Sequence, residues 1–163
     1  MATYIEIASV TVGSGGASSI DFSSIPSTYT DLLVNLSMRS SDSGPVDTNI
    51  KFNGTDTSKT ILYLRGNGSA AGSGSYAYTI GATNGSASTS NTFTTSTIYI
   101  PNYANTSYNK SFSGDTVQEN NATTAYATMI AGLWSSTAAI NQLTFVANFV
   151  QYTTAYLYGI KKD

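Results

Sequence analysis

The sequence predicts an all-β domain: an antiparallel two-sheet sandwich, jelly-roll-like, with minimal helix. Three observations carry this reading. Thr, Tyr, Val, Ile and Phe, which suit a pleated half-buried surface, are plentiful, while the helix formers Glu, Lys, Gln and Arg are scarce. Apolar and polar residues alternate with period two in stretch after stretch, each bounded by Gly, Asn or Ser. No segment recurs at a spacing of about 20–50 residues, which argues against a propeller or solenoid.

Taken in chain order, the opening segment Tyr4 to Val12 sets Ile5 and Ile7 opposite Tyr4, Val10 and Val12. The clearest half-buried strand is Asp31 to Arg39, with Leu32, Val34, Leu36 and Met38 on one face and Asp31, Asn35, Ser37 and Arg39 on the solvent face. Asn49 to Asn53 and Thr60 to Leu64 read as a pair joined by the Asn53-Gly54 turn. Residues 65–97 form a tract of Gly, Ser, Ala and Asn, interrupted by Tyr76, Tyr78 and Ile80, and read as a loop or hairpin excursion within a single domain spanning 1–163. Ser96 to Ile100 is a strand ended by Pro101, because proline lacks the donor that a ladder needs. Tyr108 to Gln118 alternates weakly, and Ala125 to Trp134 is apolar on both faces, as expected inside a sandwich or at an interface. Leu143 to Phe149 and Thr154 to Ile160 complete about eight to ten strands. Single helical turns are expected at Ser23 to Tyr29 and Ser135 to Asn141.

Charged residues make up only 10% of the chain, against about 25% in ordinary proteins. The polar share comes instead from Ser, Thr and Asn, 61 of 163 residues. With a net charge of −2 and 12 Tyr, 6 Phe and one Trp, the chain has the aromatic surface to fold rather than stay disordered. Its few scattered basic residues give no footprint for nucleic acid. No apolar run approaches the length of a membrane helix, and Met1-Ala2-Thr3-Tyr4 lacks the features of a secretory signal, so synthesis in a cytoplasm is expected.

The inventory leaves little room for catalysis. There is no His and no Cys, which removes Ser-His-Asp and Cys-His arrangements, imidazole and thiolate metal sites, and disulfides. Glu6 and Glu119 are the only glutamates, and the seven Asp residues match no acid/base spacing, so no enzyme, cofactor or metal is expected. Asp42, Asp47 and Asp56 could offer oxygens to Ca²⁺, but solvated turn residues account for them as well. Gly66-Asn67-Gly68 and Gly72-Ser73-Gly74 lack the Lys-Ser/Thr pair and the strand-to-helix setting of a nucleotide loop. The aromatic residues remain. Tyr76, Tyr78, Tyr99, Tyr103 and Tyr108 could form a platform for sugar rings, or could be cross-strand pairs on a sheet. Trp134 belongs to the core or to a subunit contact.

Several segments carry a resemblance. They are Ala8-Ser9-Val10-Thr11-Val12-Gly13-Ser14-Gly15-Gly16-Ala17, Ile20 through Leu32 with Pro26-Ser27-Thr28-Tyr29, Phe52-Asn53-Gly54, Ile100-Pro101-Asn102-Tyr103, Ala131-Gly132-Leu133-Trp134-Ser135-Ser136, and Tyr156-Leu157-Tyr158-Gly159-Ile160-Lys161-Lys162. Together they resemble small β-sandwich virion surface proteins of tailed bacteriophages, of the marine and cyanobacterial phage type. The resemblance covers nearly the whole chain, most weakly across 67–97, and brings no catalytic residues with it. It implies a capsid decoration (cement) protein on the outer surface of the virion, made in the host bacterial cytoplasm. The implied partners are the major capsid protein and copies of the chain itself, as in a trimer, with neither nucleic acid nor membrane involved. The alternative implied role is a tail or fibre module that recognises host surface polysaccharide. For the protein interface the expected residues are Tyr4, Ile5 and Ile7 on the first strand with Tyr76 and Tyr78 in the Gly/Ser tract, because termini and long loops reach beyond a compact sandwich. For glycan contact they are Tyr76, Tyr99, Tyr103 and Tyr108.

Overall fold

The computed structural model describes residues 2–121 and 125–161. Twelve strands are present among them: β1 (Thr3–Thr11), β2 (Ala17–Phe22), β3 (Asp31–Met38), β4 (Val46–Phe52), β5 (Lys59–Gly66), β6 (Ala71–Tyr76), β7 (Thr79–Thr83), β8 (Thr94–Pro101), β9 (Lys110–Gln118), β10 (Tyr126–Trp134), β11 (Leu143–Phe149) and β12 (Thr154–Lys161). They form an eight-stranded sheet, β1-β12-β3-β8-β9-β10-β5-β6, and a four-stranded sheet, β2-β11-β4-β7. Every strand pair is antiparallel. The predicted all-β sandwich is what the chain forms.

The connectivity is that of a jelly roll carrying two additions. With the hairpins β5–β6 and β9–β10 set aside, the remaining strands lie as β1-β12-β3-β8 facing β2-β11-β4-β7, each sheet drawing alternately on early and late strands. The two hairpins are inserted at separate points of the chain yet pair with each other through β10 and β5. They widen one sheet to twice the other. Tyr76 ends β6 in the large sheet and Thr79 begins β7 in the small one, so the chain changes sheets within Ala77-Tyr78.

The core lies between the sheets. Leu32, Val34, Leu36 and Met38 of β3 are buried against Phe145 and Phe149 of β11 and Ile50 and Phe52 of β4, within one apolar cluster. Phe52 joins the small sheet to the added strands: its ring meets Phe112 of β9 edge-on at 5.2 Å and stacks on Trp134 of β10 at 5.4 Å. Phe112 in turn lies flat over its cross-strand partner Gly132, where a Cβ would stand 2.1 Å from the ring. Only glycine admits that approach.

Several sequence expectations are corrected. Ile7 is a bulge residue, skipped between the pairs Glu6–Tyr158 and Ala8–Leu157, so Ile5 shares the inner face with Ala8 and Val10 while Tyr4 faces out. Alternation cannot reveal a bulge, because the extra residue reverses the pattern midway. The Asn53-Gly54 turn exists, with both residues at positive φ (49° and 76°), but β4 and β5 do not pair. The chain leaves the turn for the opposite sheet, held by Asn53, whose amide nitrogen donates to Ala139 O (2.8 Å) and whose oxygen accepts from Asn141 N (2.9 Å). Neither Ser23 to Tyr29 nor Ser135 to Asn141 makes a helical turn. Their backbones bond across the fold instead, Ile25 N to Asn141 O and Ile140 N to Tyr103 O, both 2.9 Å. The Gly/Ser tract holds a hairpin arm and a loop: it contributes the end of β5, all of β6 and β7, and the start of β8, with residues 84–93 forming the β7–β8 loop.

Phe52→Ala is expected to destabilise the domain by about 3–5 kcal/mol, since it opens a cavity at the joint between the jelly roll and its extension. Gly132→Val is expected to cost about 1–3 kcal/mol by overpacking against Phe112. Urea denaturation of both variants checks the pair, and a Gly132→Val midpoint equal to that of the parent chain contradicts the packing described.

Candidate functional site

The outer face of the large sheet carries several exposed apolar and aromatic side chains. On its added half, alternate residues of β5, β9 and β10 point away from the core: Leu62, Leu64, Val117, Met129, Ala131 and Leu133. Their register places Leu64 beside Met129, Leu62 beside Ala131, and Val117 beside Ala127, so they form one strip. Met129 is 65% exposed, Leu62 58% and Leu64 56%. Small residues on the neighbouring edge strand β6, Ser73 and Ser75, leave a shallow groove of about 630 Å³ beside Leu62, Leu64 and Met129. Met129 also borders two smaller recesses toward Val117 and toward Tyr99, of about 290 and 250 Å³.

The other half of this face is aromatic. Tyr156 and Tyr158 of β12 stand 6.4 Å apart in near-parallel planes, with Tyr4 on β1 and Tyr99 on β8 exposed on the same side. Of the charged side chains, Glu6 and Asp115 are exposed on the face. Asp31, which alternation assigns to solvent, is only 4% exposed. Its carboxylate accepts from the Tyr99 hydroxyl (2.8 Å) and from Asn102 N (2.9 Å). A short polar side chain at a strand end can be consumed by the following turn, and nothing in local alternation signals it.

The residues expected at a glycan platform do not converge. Tyr103 is wholly buried, its hydroxyl donating to the Pro26 carbonyl; burial raises its pKa, and it is a core residue rather than a contact. Tyr99 lies on the outer face and Tyr108 in the β8–β9 loop, with the Lys110 ammonium 6.0 Å from its ring. Tyr76 is elsewhere, on the inner side of β6, stacked on Tyr63 at 4.1 Å with an 18° interplanar angle. Of the expected interface residues, Tyr4 is 60% and Ile5 38% exposed on the edge strand β1, Ile7 is half-buried, and Tyr78 is 46% exposed in the connection between sheets. Sequence reasoning misses Leu62, Leu64 and Met129 as surface residues: the two-faced apolarity of Ala125 to Trp134 marks the strand of Met129 without showing which face is open.

Several charges elsewhere are tied into the fold. Arg39 donates to the carbonyls of Thr89 (2.9 Å), Thr92 (2.8 Å) and Ser88 (3.0 Å), organising the β7–β8 loop. Lys110 is fully buried and donates to Tyr108 O (2.9 Å) and Thr137 O (3.3 Å), burial lowering its pKa. Lys59 donates to Ile50 O and lies 3.5 Å from Asp56, which Lys51 also reaches at 3.0 Å. Asp42 accepts from Ser40 (2.7 Å) and Asn148 (3.0 Å), bonds that hold its pKa down. No group of three or more acidic residues that could hold a metal exists among the described residues.

Comparison with known proteins adds no family: no protein-family model matches the chain, and neither curated proteins nor solved structures show significant similarity to it.

Burial, and then the bond to Asp31, push the Tyr99 phenol up to about 12. Because its folded value exceeds the ordinary value of 10.0, Tyr99 contributes stability in full below about pH 10 and loses that contribution as pH climbs toward 12. An absorbance titration of the phenolates is expected to show this late ionisation, to lose it in Tyr99→Phe, and to show it at lower pH in Asp31→Asn. An unchanged titration in Tyr99→Phe contradicts the assignment.

Proposed function

We propose that this protein is a non-enzymatic structural protein of a bacteriophage virion, a capsid decoration protein that seats the outer face of its large sheet on the coat shell. The observation that carries the reading is the strip formed by Leu62, Leu64, Met129, Leu133 and Val117, flanked by Ser, Thr and Tyr and almost free of charge. Protein interfaces favour such chemistry, with Met and aromatic side chains at the centre and charge depleted. The groove beside Met129 offers the concave centre that an anchoring side chain needs. Contact made by apolar packing and neutral hydrogen bonds is also little affected by salt. The resemblance to virion surface proteins supplies the partner, the major capsid protein; the face supplies the means of attachment.

A second reading, a tail or fibre module that recognises host glycans, is favoured by one observation, the partly exposed Tyr63–Tyr76 stack. Imaging of labelled, purified particles separates the two roles. Decoration places copies across the head lattice and a fibre module places them at the tail; absence from the head sinks the decoration reading.

Leu64→Asp and Met129→Asp are expected to abolish attachment to particles while changing folding stability by no more than about 0.5 kcal/mol, as exposed positions do. Co-sedimentation with heads stripped of the protein measures the first, thermal unfolding the second. Retained attachment by both variants removes the outer face from the proposal.

A further inference from the structure

The added hairpin β5–β6 runs past the small sheet, because β7 lies over β9 and only the margin of β10. Its inner side therefore carries side chains that are only partly buried: Tyr63 on β5 and Tyr76 on β6, which pack against the margin of the core, with Arg65 on β5 and Tyr126 at the start of β10. Tyr63 lies over its cross-strand partner Gly74, where a Cβ would come within 2.8 Å of the phenol oxygen, and this lets the ring reach Tyr76. The Arg65 guanidinium sits 4.5 Å from the Tyr126 ring centre and 5.5 Å from that of Tyr63. Beside it, Arg65, Asn67, the Ala70–Gly72 backbone and Tyr126 line a recess of about 200 Å³.

Arg65 differs from the other basic residues of the domain body. Arg39, Lys51, Lys59 and Lys110 each spend their donors on carbonyls or a carboxylate of the chain. Arg65 makes no ion pair and no hydrogen bond with any described residue, so its planar fork is aimed by two aromatic faces and left unused. Asp47 is the carboxylate whose field reaches this group: burial raises its pKa, the Arg65 charge opposes that rise in part, and both charges bear on the Tyr76 phenol.

We infer that this overhang binds an acidic saccharide, one sugar ring lying on the Tyr63–Tyr76 pair and a carboxylate or sulfate substituent engaging the Arg65 guanidinium in the recess beside Tyr126. Aromatic faces accept the apolar faces of sugar rings, and a guanidinium offers paired donors matched to an oxyanion. The Asp47 charge, felt at Arg65, holds the affinity for anions in check. The inference rests on the glycan-recognition reading and names the ligand class for it; attachment through the opposite face of the sheet is independent of it.

The test is equilibrium titration calorimetry of the whole chain with three oligosaccharides of equal length: an oligogalacturonate, a sulfated galactan fragment and a neutral galactan fragment. At least one anionic ligand is expected to bind ten-fold or more tightly than the neutral one, and to weaken as salt is raised. Arg65→Gln is expected to erase that preference, Arg65→Lys to restore only part of it, and Asp47→Asn to strengthen anion binding, with near-UV circular dichroism unchanged in all three. The uronate and sulfate arms identify which anion the site takes. Equal anion binding by Arg65→Gln overturns the inference, as does preference for the neutral ligand, which leaves glycan recognition standing. Absence of binding by all three up to about 10 mM overturns both.

Discussion

The contact between Phe52, Phe112 and Trp134 determines how far this fold can extend. A four-on-four jelly roll needs only its own inward faces, but the four extra strands of the large sheet have no second layer of equal width to bury them. Phe52, at the end of a small-sheet strand, reaches across to rings on β9 and β10 and gives the extension its share of the core. That reach depends on Phe112 lying flat on the backbone of Gly132. The same device, a ring laid over a facing glycine, recurs at Tyr63 over Gly74 and at Tyr29 over Gly159. Three glycines of this chain thus serve as seats for aromatic rings.

A chain so poor in charge uses its cations in an unusual way. Arg39 and Lys110 face backbone carbonyls of loops rather than carboxylates, each tying segments that are far apart in sequence. Burying a lysine is costly unless its ammonium is hydrogen-bonded, and two loop carbonyls meet that need for Lys110. These clamps free the sheet's outer face from carrying charge. They also separate the two proposed surfaces: apolar adhesion lies outside the large sheet, and the single uncommitted guanidinium among the described body residues lies on its inner side.

Much of the fold was legible in the residues. Leu32, Val34, Leu36 and Met38 alternate because β3 has one face in the core and one face out, and that periodicity survives in the structure unchanged. What could not be read depended on long-range geometry. The bulge at Ile7 inverts a face without altering composition. The Asn53-Gly54 turn has the local conformation that a hairpin would use, yet the direction of the outgoing strand is set by Asn53 gripping residues 139 to 141. Gly and Ser in β6 look like loop composition, but there they make room for the ring of Tyr63. At the candidate sites, Tyr76 and Tyr103 look equivalent in sequence, yet Tyr76 is partly buried against Tyr63 and Tyr103 is sealed inside. Leu62, Leu64 and Met129 were hidden by their own chemistry, since exposed leucine in a strand looks like core until the second sheet proves too narrow to cover it.

The pairing of β1 with β12 bears on how the molecule is made. Its first strand finds a neighbour only when its last has been synthesised, and the two inserted hairpins must meet across an intervening length of chain before the wide sheet exists. Ladders between such distant segments close slowly, because chain entropy is spent before contacts repay it. During that interval the Leu and Met strip and the glycine-rich edge of β6 are exposed together on an unfinished sheet, a combination prone to aggregate. The yield of the native form is therefore sensitive to the rate of closure as well as to the final stability.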